Sequence, residues 1–284
     1  MFVPKRFVED KLKRILAEDV GQGDVTAASV IPPNLLVSAE VVAKEDGIAA
    51  GIEEATILAE YLGLKITDKI ADGEKIKNKQ VLMHISGDAQ TILSTERTLL
   101  NLVSRMSGIA TKTRALSAKL EKANLKAKIA ATRKSAPGLL YFDKKAVTVG
   151  NGDSHRLHLD DMVLIKDNHI AVVGSVKEAV KRAKSYASFT KKIEIEVSTV
   201  EDALKAAKSG VDVVMLDNFS PKQAKVAVET LRKAGFGKVL LEVSGKVTGE
   251  NLLEYASAKV DIISLGELTH SVKALDISLE LMKS

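Results

Sequence analysis

Six short apolar runs dominate the second half of the chain: AKIAAT (127–132), MVLI (162–165), KIEIEV (192–197), VDVVML (211–216), KVLLEV (238–243) and VDIISL (260–265). They are too continuous for strands with one wet face and predict strands buried on both faces. Helical patterns lie between several of them, over Ser175 to Ala187, Thr199 to Lys208, Pro221 to Ala234 and Glu250 to Ala258. Ser198-Thr199-Val200-Glu201 reads as a capping box, and Ser220-Pro221 as a cap followed by proline at the first helical position. Repeated strand then helix specifies a parallel sheet, and this many units favour a closed or nearly closed α/β barrel. A doubly wound open sheet is the alternative, lowered by the lack of a glycine-rich dinucleotide fingerprint after the first strand.

The first half has another rhythm. Phe7 to Ala17 predicts an amphipathic helix, with Phe7, Val8, Leu12, Ile15 and Leu16 at helical spacing. From Val37 to about Leu93, short β-like pieces alternate with turn signals at Asp72-Gly73 and Gly87-Asp88, which predicts a small sheet domain. Residues 91–122 predict two helices, or one kinked helix, broken near Ser107-Gly108. No apolar run approaches the roughly 20 residues needed to cross a bilayer.

The 284 residues suffice for a barrel with a smaller companion, and a charged fraction of 28% against 45% hydrophobic excludes disordered and collagen-like classes. The absence of Cys removes disulfides, thiolate nucleophiles and cysteine-ligated metals, and the charge-studded N-terminus, with no bilayer-length apolar run, reads as cytoplasmic. A net charge of +5 attracts anions without implying a nucleic-acid coat, and aromatics at 4% are too few for base-stacking platforms. Only 9 of the 42 basic residues are Arg. Each Arg is therefore worth following, because its planar fork suits carboxylates and phosphates.

Polar groups sit at the ends of all six runs: Arg133-Lys134, Lys166-Asp167, Glu196, Asp217-Asn218, Ser244-Gly245 and Gly266-Glu267. A charged residue just past one strand is ordinarily a solvated loop residue. Six in one parallel barrel share the C-terminal rim, where loops build active sites. Glu194 and Glu196 share one strand face, so at least one carboxylate points into the barrel. The cluster Gly150-Asn151-Gly152-Asp153-Ser154-His155-Arg156 suits an anion-cradling loop, and His155-Arg156 could clamp a carboxylate. His155, His158, Asp160 and Asp161 have metal-like spacing, but no i, i+4 pair organises them. Arg133, Lys134, His155, Arg156 and Lys166 outnumber Glu196 and Asp217, which fits a substrate carrying phosphates and carboxylates. Ser244-Gly245 and Gly266 fall at the phosphate-holding corner of such barrels.

TRKSAPGL (132–139), GNGDSHRLHLDDMVLIKDNH (150–169), IEIEVST (193–199), VMLDN (214–218), LEVSG (241–245) and ISLGELTHS (263–271) together resemble the quinolinate phosphoribosyltransferase family. EDVGQGDVTA (18–27) and ERTLLNLVSRMSGIATKTR (96–114) extend the likeness over nearly the whole chain. The resemblance implies an N-terminal α/β domain (1–110), joined by a C-terminal helix over 270–284, and an incomplete α/β barrel (111–269). It implies transfer of phosphoribosyl from 5-phosphoribosyl 1-pyrophosphate to quinolinate with Mg²⁺, releasing pyrophosphate and carbon dioxide. Arg133, His155 and Arg156 would hold the quinolinate carboxylates, with Arg97 arriving from the partner of a homodimer. Lys134 and Lys166 would neutralise substrate charge, and Glu196 and Asp217 would lie near the ribose and its metal. Ser244, Gly245, Gly266 and His270 would hold the 5-phosphate. Ser135-Ala136 and Asn151 depart from the family pattern. Two rival activities stay open: a molybdenum-locus paralogue of the same fold, and a Schiff-base barrel lyase using Lys166.

Overall fold

The computed structural model describes residues 3–282 and divides them into two compact units, one of residues 3–114, 141–150 and 272–282, the other of 115–140 and 151–271. The first unit opens with α1 (Lys5–Val20), α2 (Val25–Val30), β1 (Leu36–Ala43), β2 (Gly47–Ile48), α3 (Ile52–Tyr61), β3 (Lys65–Lys69), β4 (Lys75–Ile76) and β5 (Val81–Asp88). Asp24 caps α2 by accepting from the amides of Thr26 and Ala27. Helix α4 (Ala89–Lys122) follows as one element of 34 residues, which decides between the expected two helices and one in favour of one. Ser107 and Gly108 serve packing instead. The Ser107 hydroxyl accepts from the Ala50 amide and donates to the Ala50 carbonyl. A Cβ at position 108 would stand 2.1 Å from the Lys273 carbonyl oxygen, so only glycine admits that chain.

The second unit holds β6 (Lys128–Ala131), after which α5 (Leu140–Val149) is built into the first unit. Phe142 and Lys144 of α5 are fully buried, and Asp143 takes a two-pronged ion pair from Arg105 of α4 at 2.7 and 2.8 Å. The chain continues through β7 (Val163–Ile165), α6 (Asp167–Val173), α7 (Val176–Tyr186), β8 (Ile193–Val197), α8 (Val200–Lys208), β9 (Val213–Asp217), α9 (Pro221–Lys233), β10 (Leu240–Ser244), α10 (Leu252–Ser257), β11 (Ile262–Leu265) and α11 (Glu267–His270).

Each of the six apolar runs supplies one strand of a single parallel sheet, in the order β6-β11-β10-β9-β8-β7. An isolated parallel bridge between Ala130 and Asp153 adds the 151–156 loop to the outer edge of β6. This is the incomplete α/β barrel expected from the sequence. Helices α7, α8 and α9 bury the spacings expected of amphipathic helices, in α9 through Ala224, Ala227, Val228 and Leu231. Ser220 and Gln223 form a reciprocal capping box, while Thr199, one residue on from the expected cap, accepts from the Asp202 amide.

Among the described residues the expected C-terminal helix is not formed. Residues Ile277–Leu281 are strand β12, antiparallel to β1 in the sheet β12-β1-β5-β3 of the first unit. The reason is periodicity: Ile277, Leu279 and Leu281 alternate with Ser278 and Glu280, a period of two that fits an edge strand. Ile277 and Leu279 pack on the core of Val41, Ile85, Leu82 and Ile92.

Candidate active site

The barrel places its polar residues where parallel strands end. Asp217 and Ser244 are the last residues of β9 and β10 and lie opposite one another in register. Glu196 precedes the last residue of β8, Lys166 and Gly266 follow β7 and β11 directly, and Arg133-Lys134 stand just past β6. Lys166 Nζ lies 3.2 Å from Glu196 Oε2, outside hydrogen-bond alignment. His169 accepts the Lys166 amide through Nδ1 at 2.9 Å and so caps α6. Asn218 donates from Nδ2 to Asp217 Oδ2 at 2.8 Å.

Gly245 has φ +78°, and a Cβ there would meet Asn218 Oδ1 at 2.4 Å. Position 245 therefore requires glycine for both its conformation and its space. A Cβ at Gly266 would meet His270 at 2.8 Å and Lys134 at 3.3 Å, which brings the ends of β6 and β11 together. The Thr269 hydroxyl ties them further by donating to the Lys134 carbonyl.

Arg133 and Arg156 supply the site's clearest electrostatic signal. Among the described residues neither guanidinium has a carboxylate within ion-pair reach, and Arg133 is exposed. Burial, followed by repulsion from Arg133, makes the charge on Arg156 harder to hold, and Glu194, Asp161 and Glu196 only partly offset it. Two cations that repel each other with no protein carboxylate between them are stabilised by an anionic ligand.

His155 points elsewhere. Its Nε2 lies 3.2 Å from Glu242 Oε2 and 3.4 Å from Glu194 Oε2, and both carboxylates are fully buried inside the barrel. Its Nδ1 accepts the Arg156 amide at 2.7 Å. Burial disfavours a charged imidazole, but the two carboxylates outweigh it and push the pKa up to about 10. Burial also raises the pKa of Glu194. The amide at Nδ1 needs that nitrogen's lone pair, so the ring proton sits on Nε2, and the cluster keeps its further proton on the side of the carboxylates. A cavity of about 1040 Å³ reaches this cluster from the amino-terminal ends of the strands, lined by Lys128, Val213, Leu240 and Ile262 as well as His155, Glu194, Glu242 and Arg156. None of Lys134, Lys166, Glu196, Asp217, Ser244 and Gly266 lines it.

The sequence reading put a carboxylate of Glu194 or Glu196 inside the barrel, and Glu194 is there. It missed Glu242, whose signal was its place in KVLLEV two residues before Ser244, on the same strand face. His158, Asp160 and Asp161 cluster at the surface apart from that group, with Asp161 accepting the amides of Leu157 and His158 as a turn brace. His270 is exposed, its Nδ1 2.5 Å from the Ser271 hydroxyl. Arg97 lies on α4 of the other unit, 65% exposed, with Glu96 at 4.0 Å.

Known proteins resemble this chain over nearly its whole length. The profile of the quinolinate phosphoribosyl transferase N-terminal domain matches residues 24–107, and that of the C-terminal domain matches residues 109–280. A probable carboxylating nicotinate-nucleotide pyrophosphorylase of Archaeoglobus fulgidus is 46% identical over 262 residues, covering 92% of this chain and 99% of its own. The Mycobacterium leprae carboxylating nicotinate-nucleotide pyrophosphorylase is 40% identical, covering 96% of each chain. The solved nicotinate-nucleotide pyrophosphorylase of Francisella tularensis superposes with a TM-score of 0.90 at 35% identity, covering 99% of this chain and 98% of its own. The chain belongs to the quinolinate phosphoribosyltransferase family.

Proposed function

We propose that the chain joins quinolinate to 5-phosphoribosyl 1-pyrophosphate, giving nicotinate mononucleotide, pyrophosphate and carbon dioxide, a step of NAD biosynthesis in the cytoplasm. The observation that carries this reading is the Arg133–Arg156 pair, two cations without a protein carboxylate, which suits a pyridine bearing two adjacent carboxylates. In the reaction the pyridine nitrogen forms a bond to the anomeric carbon as the bond from that carbon to pyrophosphate breaks, and the pyrophosphate leaves with the electron pair. The carboxylate beside the ring nitrogen departs as carbon dioxide, and the pair it leaves on the ring carbon takes up a proton.

Glu196 and Asp217, at the rim and only partly exposed, face the region where a ribosyl cation would develop, and their negative charge favours that state over the ground state. Lys134 and Lys166 neutralise phosphate charge. Ser244, Gly245, Gly266 and His270, gathered at the ends of β10 and β11, would receive the 5-phosphate through backbone amides and short side chains. A Mg²⁺ ion fits the donor set: Glu196 Oε2 is buried without a hydrogen-bond partner, and with Asp217 it offers the hard oxygen ligands this ion prefers. When bound, the ion would draw charge away from the pyrophosphate. Arg97, exposed and only loosely paired, is available to a second copy of the chain, and the reading includes a homodimer in which it completes the partner's site.

Purified chain mixed with quinolinate, 5-phosphoribosyl 1-pyrophosphate and Mg²⁺ should release carbon dioxide and form nicotinate mononucleotide, each only when both substrates are present. Absence of both products from folded protein would refute the reading.

A further inference from the structure

We propose that His155 is a positioning residue that acts through Arg156: its imidazole, anchored on Glu242 and Glu194 inside the barrel, fixes the turn that presents the Arg156 guanidinium, and it does not itself bind the substrate carboxylates. This rests on the functional reading above, in which Arg133 and Arg156 receive quinolinate.

Three observations carry it. Both ring nitrogens are already engaged by the protein, Nε2 with the two carboxylates and Nδ1 with the Arg156 amide, so no N–H of the ring is left for a ligand. The backbone at His155 is left-handed, with φ +52°, a conformation unfavourable for a residue with a Cβ and held here from both sides. The His155 amide donates to Asp153 Oδ1 at 2.7 Å, and Asp153 is itself fixed to β6 by its amide to the Ile129 carbonyl and its carbonyl to the Ala131 amide. On the other side the ring is tethered to β8 and β10 through their glutamates. The turn thus spans from the β6 edge to the barrel interior, and the next residue is Arg156.

The third observation is the direction of the charges. The charged groups that act on His155 are Glu194 and Glu242, both interior. Arg156 is influenced by Arg133 and Glu196, which stand at the C-terminal rim, as well as by Glu194 and Asp161. Arg156 shares the lining of the amino-terminal cavity with His155 but also feels the rim charges, so the turn has its foot at His155 and its working end at Arg156. A cation site at His155, Glu194 and Glu242 is the competing reading of the same cluster. It is disfavoured because Nδ1 accepts an amide, which leaves the proton rather than a lone pair on Nε2.

The test is a double-mutant cycle on quinolinate binding, measured by calorimetry with the full chain. Arg156→Ala should weaken binding by about ten- to a hundredfold, the usual range for a charged hydrogen-bonding group. His155→Ala and Glu242→Gln should each weaken it by a smaller factor, of order three- to tenfold, and neither should weaken it further once Arg156 is already alanine. In turnover, Glu242→Gln should raise the KM for quinolinate while leaving kcat and the KM for 5-phosphoribosyl 1-pyrophosphate in place, a split that general loosening of the barrel would not produce. Glu242→Ala, with no acceptor for Nε2, should do worse than Glu242→Gln. If the losses from His155 and Arg156 add, His155 binds the substrate directly and the proposal fails, while the functional reading stands. If His155→Ala does not fold, the Glu242→Gln cycle decides in the same way. A wild-type chain that takes up no quinolinate overturns the functional reading and this inference with it.

Discussion

Each unit buries carboxylates around one nitrogen donor, but the two clusters differ in how well that donor serves them. In the first unit Lys145 Nζ of α5 contacts Glu53, lies 2.7 Å from Glu54 Oε1 and 3.5 Å from Asp72 Oδ2, and the Tyr141 hydroxyl donates to Glu54 Oε1. An ammonium has three donors, enough for three carboxylates at once. Burial works against its charge, but Glu54, Glu53 and Asp72 prevail and hold Lys145 above the ordinary lysine range. In the barrel one Nε2 proton faces two carboxylates at 3.2 and 3.4 Å, and both oxygens of Glu194 and one of Glu242 have no hydrogen-bond partner. In the clamp Glu54 Oε2 and Asp72 Oδ2 lack one, but every carboxylate keeps at least one bond. The number of donors per carboxylate separates a clamp that ties α5 to α3 from a looser cluster beside a cavity and next to Arg156.

The largest effect should come from breaking the clamp. Lys145→Met leaves Glu54 charged, fully buried and uncompensated, which costs about 3–5 kcal/mol. Thermal unfolding should show that loss, and adding Glu54→Leu should recover much of it. A Lys145→Met chain as stable as wild type would mean that the cluster is no clamp.

Glu196 sharpens the contrast within the barrel, since it shares a strand face with Glu194 but stands at the rim against Lys166. Glu196→Gln should lower kcat by about 10²- to 10³-fold, the range for removing one preorganised charge-stabilising group. Quinolinate affinity and folding stability should change little. A fall in affinity with kcat intact would reverse the role given to this residue.

The loosely satisfied histidine should matter less to folding than the lysine does. Asparagine tolerates a left-handed backbone, so His155→Asn removes the tether without adding strain, and the expected loss is about 1–3 kcal/mol, that of unmaking one buried hydrogen bond. A loss equal to that of Lys145→Met would erase the distinction between the clusters.

The barrel's strands were legible because each is buried on both faces and carries its own apolar run. The rim residues were legible because strand ends in a parallel barrel share one face. What was not legible depends on contacts distant in sequence. Ser107-Gly108 has the composition of a helix break, and only the packing of Ala50 and the Lys273 carbonyl against it explains an unbroken α4. Helix α5 lies between β6 and β7 in sequence, yet Arg105 and Glu54 recruit it to the other unit. For ISLEL the period-two pattern was the better guide than the family resemblance, which implied a helix. His155 looked like a ligand because it adjoins Arg156 in sequence, but a left-handed backbone turns its ring inward. Sequence adjacency carries no information about that turn.

The smallest expected effect is a drift with pH that belongs to one cluster alone. The cluster of His155 with Glu194 and Glu242 binds one proton more tightly folded, its titration displaced to about 10, than unfolded, where the ordinary histidine value is 6.5. A raised folded pKa stabilises fully below the unfolded value, and the contribution is lost as pH climbs from 6.5 towards 10. Lys145 is also raised, but from an ordinary value of 10.5, so its clamp stays intact over the whole of that window. Unfolding free energy should therefore decline from pH 6.5 to 10 in wild type and, by a similar amount, in Lys145→Met. Replacing both Glu194 and Glu242 by Gln keeps hydrogen-bonding side chains but removes the carboxylates that hold the proton, and the stability of that variant should be flatter over the same range. If the variant with both Glu194→Gln and Glu242→Gln declined as steeply as wild type, another group would be titrating, and the barrel cluster would be no more sensitive to pH than the clamp.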